Sequence, residues 1–120
     1  MKNILIVEDS LIDLNTFIPW FLRRGFNVLI TTNGAEALKI IDSNLPDIIL
    51  LDIILPDVSG FEICQQLKVK AKTKKIPIVI CSIRKSELEK FWGLKLGANA
   101  YLTKPVVQEN LVSTIQRLVA

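Results

Sequence analysis

The sequence contains no histidine, and this absence narrows the chemistry that its 120 residues can perform. Histidine is the commonest general base and a frequent metal ligand, so histidine-dependent triads and histidine-ligated zinc sites are excluded. The remaining reactive groups are carboxylates, lysine amines and hydroxyls, together with any hard cation that the protein binds. Any reactive site in this chain is therefore expected to consist of oxygen and ammonium groups.

Cysteine and long apolar runs are also scarce. Cys64 and Cys81 stand in apolar surroundings without the spacing of a redox or zinc motif, so we expect reduced packing residues and no disulfide scaffold. No apolar run reaches the roughly 18 to 20 residues that span a bilayer, and no signal-peptide pattern follows Met1. The sequence predicts a soluble, cytoplasmic protein without membrane insertion.

Neither sign of charge dominates, because 15 basic residues face 12 acidic ones for a net charge of +3. This balance permits nucleic-acid binding without implying it. Five lysines do cluster before the fourth predicted strand: Lys68, Lys70, Lys72, Lys74 and Lys75. Because no recognition helix or interleaved aromatic residue accompanies them, we expect a solvated loop and no direct contact with nucleic acid.

Apolar runs of strand length alternate with amphipathic segments along the whole chain. The predicted strands are 3–7, 27–31, 47–51, 76–81 and 99–102. The predicted helices are 11–24, 34–43, 61–72, a segment that a Ser86–Glu89 capping box opens and Gly97 ends, and 108–119. The first, third and fourth strands are almost continuously Ile, Leu and Val, which is typical of parallel strands covered on both faces.

A strand–helix unit repeated five times predicts one α/β domain over residues 1–120, with an open, doubly wound parallel sheet. The length excludes an eight-unit barrel, which needs roughly 250 residues. Five strands favour the flavodoxin-like order 2-1-3-4-5, which has its ligand crevice at the carboxyl ends of strands 1 and 3. The chemistry should therefore lie after Val7 and Leu51.

Acidic residues stand at these two places. Glu8 and Asp9 directly follow the first strand, and Asp52 follows the third. Grouped carboxylates repel one another, and Mg²⁺ is held by a few carboxylates together with waters and phosphate oxygens. The pattern favours a phosphate-handling Mg²⁺ site, although each residue taken alone also fits an ordinary helix cap or turn.

Two further residues strengthen this interpretation. Ser82 ends the fourth predicted strand and Lys104 follows the fifth, which would bring a hydroxyl and an ammonium group to the same crevice. Each also has a plain structural explanation, as a turn residue and as a solvated lysine.

Four segments carry a family resemblance: Val7-Glu8-Asp9, residues 50–60, residues 76–82 and residues 97–105. In this order they closely resemble a response-regulator receiver domain over essentially the full length. Within that family the chain is most similar to stand-alone, chemotaxis-type receivers of pilus-motility and phototaxis pathways, notably in residues 91–98. The resemblance implies a phosphorylation-dependent switch of a two-component system. Such a switch is no conventional enzyme, but it catalyses its own phosphorylation and slow autodephosphorylation.

The resemblance also implies roles for individual residues. Asp52 would accept the phosphoryl group. Asp9, Asp52 and the backbone carbonyl of Ile54 would hold Mg²⁺, with Glu8 acting through a water molecule. Lys104, aimed by a candidate cis bond to Pro105, would pair with the phosphoryl oxygens.

Signalling would follow from two more residues. Ser82 would donate its hydroxyl to the phosphoryl group and move inward, which lets Tyr101 rotate from an exposed to a buried position. The surface of helix 4, strand 5 and helix 5 would change as a result, whereas an edge-strand aromatic without a switching role is the plain alternative for Tyr101.

The implied partners are proteins. A sensor histidine kinase or phosphotransfer protein would donate the phosphoryl group, and a downstream target would dock, because no output unit follows the last predicted helix. The first helix carries more apolar residues than one buried stripe needs. Two explanations are open: a weak homodimer or partner contact through this helix, and a thick core helix beside the sheet. Pro19 should kink or interrupt that helix.

Some residues depart from the family pattern. Ile83 stands where a small residue is usual and should crowd the pocket. Ile54 and Arg84 offer no local base to activate water, which favours a long-lived phosphoryl state. Trp92, displaced from a Leu88–Phe91 stripe, is either an exposed interface anchor or a partly buried residue.

Three competing readings share part of the pattern. A flavodoxin-type electron carrier would have to bind an anionic phosphate where Glu8 and Asp9 repel it. A haloacid-dehalogenase-type phosphatase needs a second aspartate where Ile54 stands. A pseudo-receiver, which keeps the fold as an interaction module without phosphorylation, is the more serious rival.

Overall fold

The computed structural model describes residues 1–120, in which strands and helices alternate. The strands are β1 (Asn3–Val7), β2 (Asn27–Thr31), β3 (Ile48–Leu51), β4 (Ile78–Ser82) and β5 (Ala100–Thr103). The helices are α1 (Leu11–Leu22), α2 (Gly34–Asn44), α3 (Gly60–Val69), α4 (Glu87–Lys95) and α5 (Gln108–Val119). All ten predicted elements are present, and the largest difference is the end of α3, predicted at residue 72 and found at Val69.

The five strands form one parallel sheet in the order β2-β1-β3-β4-β5, which confirms the predicted topology. Val7 is paired with Leu51, so the residues that follow them, Glu8 and Asp52, leave the sheet side by side. Ser82 is paired with Thr103, which places Lys104 beyond the same edge. The register therefore brings the polar residues of four segments to one end of the sheet.

Apolar residues pack on both faces of the sheet, as alternating side chains of a strand require. Ile4 and Ile6 point to the face that α1 and α5 cover, where Phe17 and Phe21 complete the core. Leu5 and Val7 belong to the other core, which contains residues of α2 and α3. Every residue of β3 and β4 is buried, as predicted for strands covered on both sides.

The helix α1 runs without interruption past Pro19, so of the predicted kink or interruption the interruption is not found. Phe17 and Phe21, which flank the proline, are both buried, and Arg23 donates its backbone N–H to the Pro19 carbonyl. Packing of the two phenylalanines thus holds the helical path where the proline lacks a hydrogen-bond donor.

The helix α4 presents a different face to the sheet from the predicted one. Its only buried residue is Gly93, which lies so close to Tyr101 that a Cβ atom would stand 2.9 Å from the ring. Leu88 and Phe91 are exposed, so the predicted inward stripe is wrong. Trp92 is 47% exposed, which corresponds to the exposed alternative. Spacing alone could not show which face a glycine brings against the sheet.

No helix of the chain combines the length and the apolar character that crossing a bilayer requires.

Candidate functional site

A cavity of about 300 Å³ opens at the carboxyl ends of the strands, where the topology predicts the site. Its lining is mostly charged and consists of Glu8, Asp9, Ser10, Asp13, Asp52, Ile54, Ile83 and Lys104. A cavity of about 370 Å³ at the opposite end of the sheet is lined by residues such as Met1, Arg24 and Phe26, without a matching group of carboxylates. The acidic cavity is therefore the candidate site.

The carboxylates differ in their environment. Glu8 is 3% exposed and Asp52 is 6% exposed, because both directly follow buried central strands. Asp52 is also oriented by its own loop, since its Oδ1 accepts a hydrogen bond of 3.1 Å from the backbone N–H of Ile54. Asp9 is exposed at the mouth. The sheet thus fixes two carboxylates and leaves the third accessible.

The Lys104 ammonium group lies at the centre of the cavity. Its Nζ donates to Glu8 Oε1 at 2.6 Å, to Asp13 Oδ2 at 2.7 Å and to Asp52 Oδ2 at 2.8 Å. The backbone N–H of Lys104 donates to the Ser82 carbonyl, and the bond to Pro105 is cis, as predicted. One cation therefore joins the carboxylates that directly follow β1 and β3 with a carboxylate of α1.

Burial and ion pairing shift the pKa values of this group in opposite directions. Burial raises the pKa of Glu8 to about 7, although hydrogen bonds from Lys104 and the Ser10 amide act against it. Burial by itself would lower the pKa of Lys104, but the hydrogen bonds to Asp13, Asp52 and Glu8 raise it overall. The lysine is thus a fixed positive charge at neutral pH.

Asp13 is a site residue that the sequence did not reveal. It lies in the first turn of α1, and its backbone N–H donates to the capping hydroxyl of Ser10. The available signal was its position four residues after Asp9, which places an acidic residue at the cavity end of the helix. The contact with Lys104 is tertiary, so no local pattern could predict it.

Asp57 is a second functional candidate that went unpredicted. Its carboxylate accepts hydrogen bonds from the backbone N–H groups of Gly34 at 2.8 Å and Ala35 at 2.9 Å. These bonds hold the pKa of Asp57 below its usual value. Because Asp57 follows Ile54 in the β3–α3 loop, it ties the loop at the cavity to the N-terminus of α2.

The two predicted switch residues do not line the cavity, and both are hydrogen-bonded to the backbone of Arg84. Ser82 is fully buried and does not line the cavity, and its Oγ accepts a hydrogen bond of 3.3 Å from the Arg84 N–H. Tyr101 is half-buried and donates its hydroxyl to the Arg84 carbonyl at 2.6 Å. The exposed Tyr101 expected before switching is not the arrangement in this structure.

The oxygen donors fit Mg²⁺, although no group of three acidic side chains is already arranged to hold a metal ion. Lys104 now contacts Glu8 and Asp52 at the places where a cation would compete. Mg²⁺ is usually bound by one or two carboxylates together with waters, so a preformed protein cage is not required. Asp9 and Asp52, which differ in exposure, meet that requirement.

Comparisons with known proteins agree with this geometry. The family model "Response regulator receiver domain" matches residues 4–116. Protein PilH of Pseudomonas aeruginosa is 37% identical over 120 residues, which is 100% of this chain and 99% of PilH. The sensory transduction protein RegX3 of Mycobacterium tuberculosis is 38% identical over 118 residues, which is 97% of this chain and 50% of RegX3.

A solved structure is similar over the full length. A protein of Chloroflexus aurantiacus assigned as a response regulator has a TM-score of 0.94 at 30% identity, with 98% of this chain and 97% of that chain covered.

Proposed function

The chain belongs to the response regulator receiver domain family, whose members histidine kinases phosphorylate on an aspartate, and we propose that the accepting residue here is Asp52. The observation that carries the proposal is the buried Asp52 carboxylate, with the Lys104 ammonium 2.8 Å from its Oδ2. A carboxylate nucleophile next to a fixed cation, in a cavity open to solvent, suits transfer of an anionic group. Residues 1–120 would act together as one receiver domain.

Asp52 needs no general base, because a carboxylate is itself a nucleophile. One carboxylate oxygen would attack phosphorus, forming the aspartyl O–P bond. The bond from phosphorus to the donor group breaks, and its electron pair leaves with the donor. The Ile54 N–H fixes the carboxylate at Oδ1, so the plane of the nucleophile is set before the donor arrives. This is self-phosphorylation by a signalling protein, without turnover of an external substrate.

Lys104 would neutralise the charge that the phosphoryl group brings. Its ammonium already lies 2.8 Å from the Asp52 Oδ2, next to the position that the phosphoryl group would take. Asp9, Asp52, the Ile54 carbonyl and, through a water, Glu8 would hold Mg²⁺. When bound, the ion lowers repulsion between the carboxylates and the phosphoryl oxygens.

The signal would leave the cavity through Ser82 and Tyr101. If the Ser82 hydroxyl turns to the phosphoryl group, it must give up the Arg84 N–H that it now accepts from. The Arg84 carbonyl, which holds Tyr101, would shift with it. This route supports an output surface of α4, β5 and α5, to which a downstream protein docks.

The family places the chain between a kinase and a target. We propose a sensor histidine kinase or phosphotransfer protein as the donor and the cytoplasm as the location, where free thiols such as Cys64 and Cys81 stay reduced. The full-length likeness to PilH supports a stand-alone regulator of a pilus-motility type of pathway. Ile54 and Ile83 line the cavity and support a long-lived phosphoryl state, because neither activates water.

The test is intact mass after incubation with acetyl phosphate, with and without Mg²⁺. We expect a single Mg²⁺-dependent phosphoryl adduct that Asp52→Asn abolishes. Asp42→Asn, the same chemical change at an exposed helix position, should leave the adduct unchanged. An adduct retained in Asp52→Asn would disprove the assigned site, and a wild-type protein that forms none would instead support the pseudo-receiver.

A further inference from the structure

We propose that Asp13 is a positioning residue that holds the Lys104 ammonium in the unphosphorylated protein and releases it to the phosphoryl group, which loosens the first turn of α1. The inference rests on the proposed phosphorylation of Asp52. It adds a residue to the site and a second route by which phosphorylation changes the protein surface.

The hydrogen bonds of Lys104 carry the first step. An ammonium group has three N–H donors and no acceptor. All three are in use, because Glu8, Asp13 and Asp52 each accept one within 2.8 Å. A phosphoryl group on Asp52 takes over the N–H that now points at Oδ2. Because it carries three acceptor oxygens, it also attracts a second N–H, which must come from Glu8 or Asp13.

Burial identifies the bond that breaks. Glu8 is 3% exposed, so loss of the ammonium would leave its Oε1 without a donor at a buried position, whereas its Oε2 keeps the Ser10 N–H. Asp52 carries the phosphoryl group itself. The Asp13 side chain is 31% exposed, so water can replace the ammonium there at little cost.

A closed ring of hydrogen bonds connects this exchange to α1. Glu8 accepts from Ser10, the Ser10 hydroxyl accepts from the Asp13 N–H, and Lys104 joins the carboxylates of Asp13 and Glu8. Opening the Lys104–Asp13 bond removes the tie between Lys104 and the first turn of α1, which then keeps its cap and the Leu14–Ser10 backbone hydrogen bond. Because α1 packs beside α5, this change lies on the opposite face of the sheet from α2 and α3.

Asp13 should also slow phosphorylation, since its bond must break and its charge repels an anionic donor. With saturating Mg²⁺, we expect Asp13→Asn to accept phosphoryl from acetyl phosphate about three- to tenfold faster than the wild type. Asp13→Glu keeps the charge and should react at the wild-type rate. Glu36→Gln is the matched control, because it removes a carboxylate from the first turn of α2.

A spectroscopic readout separates positioning from a merely structural role. The Lys104 Nζ signal in ¹⁵N NMR spectra should differ between the wild type and Asp13→Asn before any phosphodonor is added. With Mg²⁺ and beryllofluoride as the probe, the two spectra should converge, because both ammonium groups then bind the same anion. In the wild type alone, amide exchange at Asp13 and Leu14 should accelerate on addition of the probe.

The outcomes are distinct. The role of Asp13 is refuted if the wild type forms the Asp52 adduct but Asp13→Asn reacts no faster and has the same Lys104 Nζ signal as the wild type. The proposed function would not be affected by that result. A wild type that forms no adduct would overturn both. A faster Asp13→Asn with convergent spectra, and an unaffected Glu36→Gln, is the supporting result.

Discussion

The Tyr101 hydroxyl donates a hydrogen bond of 2.6 Å to the backbone carbonyl of Arg84. Arg84 also donates its backbone N–H to the Ser82 hydroxyl. The backbone of Arg84 therefore connects the end of β4 with the tyrosine ring on β5. The position of the Tyr101 hydroxyl is therefore coupled to the position of the β4–α4 loop. Burial raises the pKa of this hydroxyl to about 12, which keeps it protonated as a donor at neutral pH.

Tyr101→Phe removes this hydrogen bond while keeping the ring. We expect a loss of about 1 kcal/mol in the free energy of unfolding, the usual value for one hydrogen bond. Urea unfolding measures it. Arg84→Ala is the control, because the bond uses the backbone carbonyl and should survive the loss of the side chain. An equal loss in Arg84→Ala would show that side-chain contacts, and not this bond, stabilise the loop.

Gly60→Ala should damage the candidate site through the backbone. A Cβ atom at Gly60 would overlap the Asp52 carbonyl and stand 2.8 Å from the Ile53 Cα, and neither atom can rotate away. We expect a loss of about 2 to 4 kcal/mol in stability and weaker Mg²⁺ binding, measured by urea unfolding and calorimetry. Gly25→Ala is the comparison, since its positive φ of 80° costs about 1 kcal/mol with no atom in the way. Mg²⁺ affinity should stay unchanged in Gly25→Ala.

Glu8 should make the Mg²⁺-free protein less stable as the pH rises. The folded protein keeps a proton on Glu8 up to about pH 7, whereas the unfolded chain loses it near 4.5, so the folded state binds more protons between these values. Stability then falls with rising pH across this window, by on the order of 2 to 3 kcal/mol. Two other groups affect stability outside this window. The pKa of Asp57 is lowered, so its effect lies at more acidic pH, and the pKa of Lys104 is raised, so its effect lies at alkaline pH.

Urea midpoints between about pH 5 and 8, in the presence of a chelator, measure this slope. Glu8→Gln should flatten it, and the exposed Glu36→Gln should leave it unchanged. A slope that persists in Glu8→Gln would mean that another group binds the proton.

Lys104→Met should destabilise the fold most strongly at neutral pH. It leaves the buried carboxylates of Glu8 and Asp52 without their cation, and loss of one partner of a buried ion pair costs about 3 to 5 kcal/mol. Acidification should restore part of the loss, since protonated carboxyls need no cation. Lys85→Met, at an exposed position of the β4–α4 loop, should change stability by less than about 0.5 kcal/mol.

The two tryptophans should differ in their access to solvent. Trp92 lies 47% exposed beside Phe91, whereas Trp20 packs against the core. Acrylamide should quench Trp92, measured in Trp20→Phe, more strongly than Trp20, measured in Trp92→Phe. Equal quenching in the isolated protein would indicate that Trp92 is covered, for example by a second copy.

The central strands were predictable because their burial restricts their sequence to apolar residues. Only apolar residues fit between two layers of helices, so β3 and β4 read as runs of Ile, Leu and Val. The parallel order then placed Glu8, Asp52 and Lys104 at one edge. This part of the site follows from topology.

What could not be predicted depends on contacts between distant segments. Asp13 is separated from Lys104 by 91 positions, and Asp57 reaches the N-terminus of α2 from another loop. The inward face of α4 is set by one glycine against Tyr101, while its apolar side chains face solvent. Hydrophobic spacing instead predicts that the face with Leu88 and Phe91 packs inward, and this prediction is wrong.

The Asp57 carboxylate has a consequence for ligand selectivity. The N-terminus of a helix is a ready anion site, because its first N–H groups lack partners within the helix. In α2 two of these N–H groups, on Gly34 and Ala35, already donate to the carboxylate of Asp57. These two donors are therefore not available to free phosphate or nucleotides, and Asp57 reserves this helix end for the chain's own β3–α3 loop.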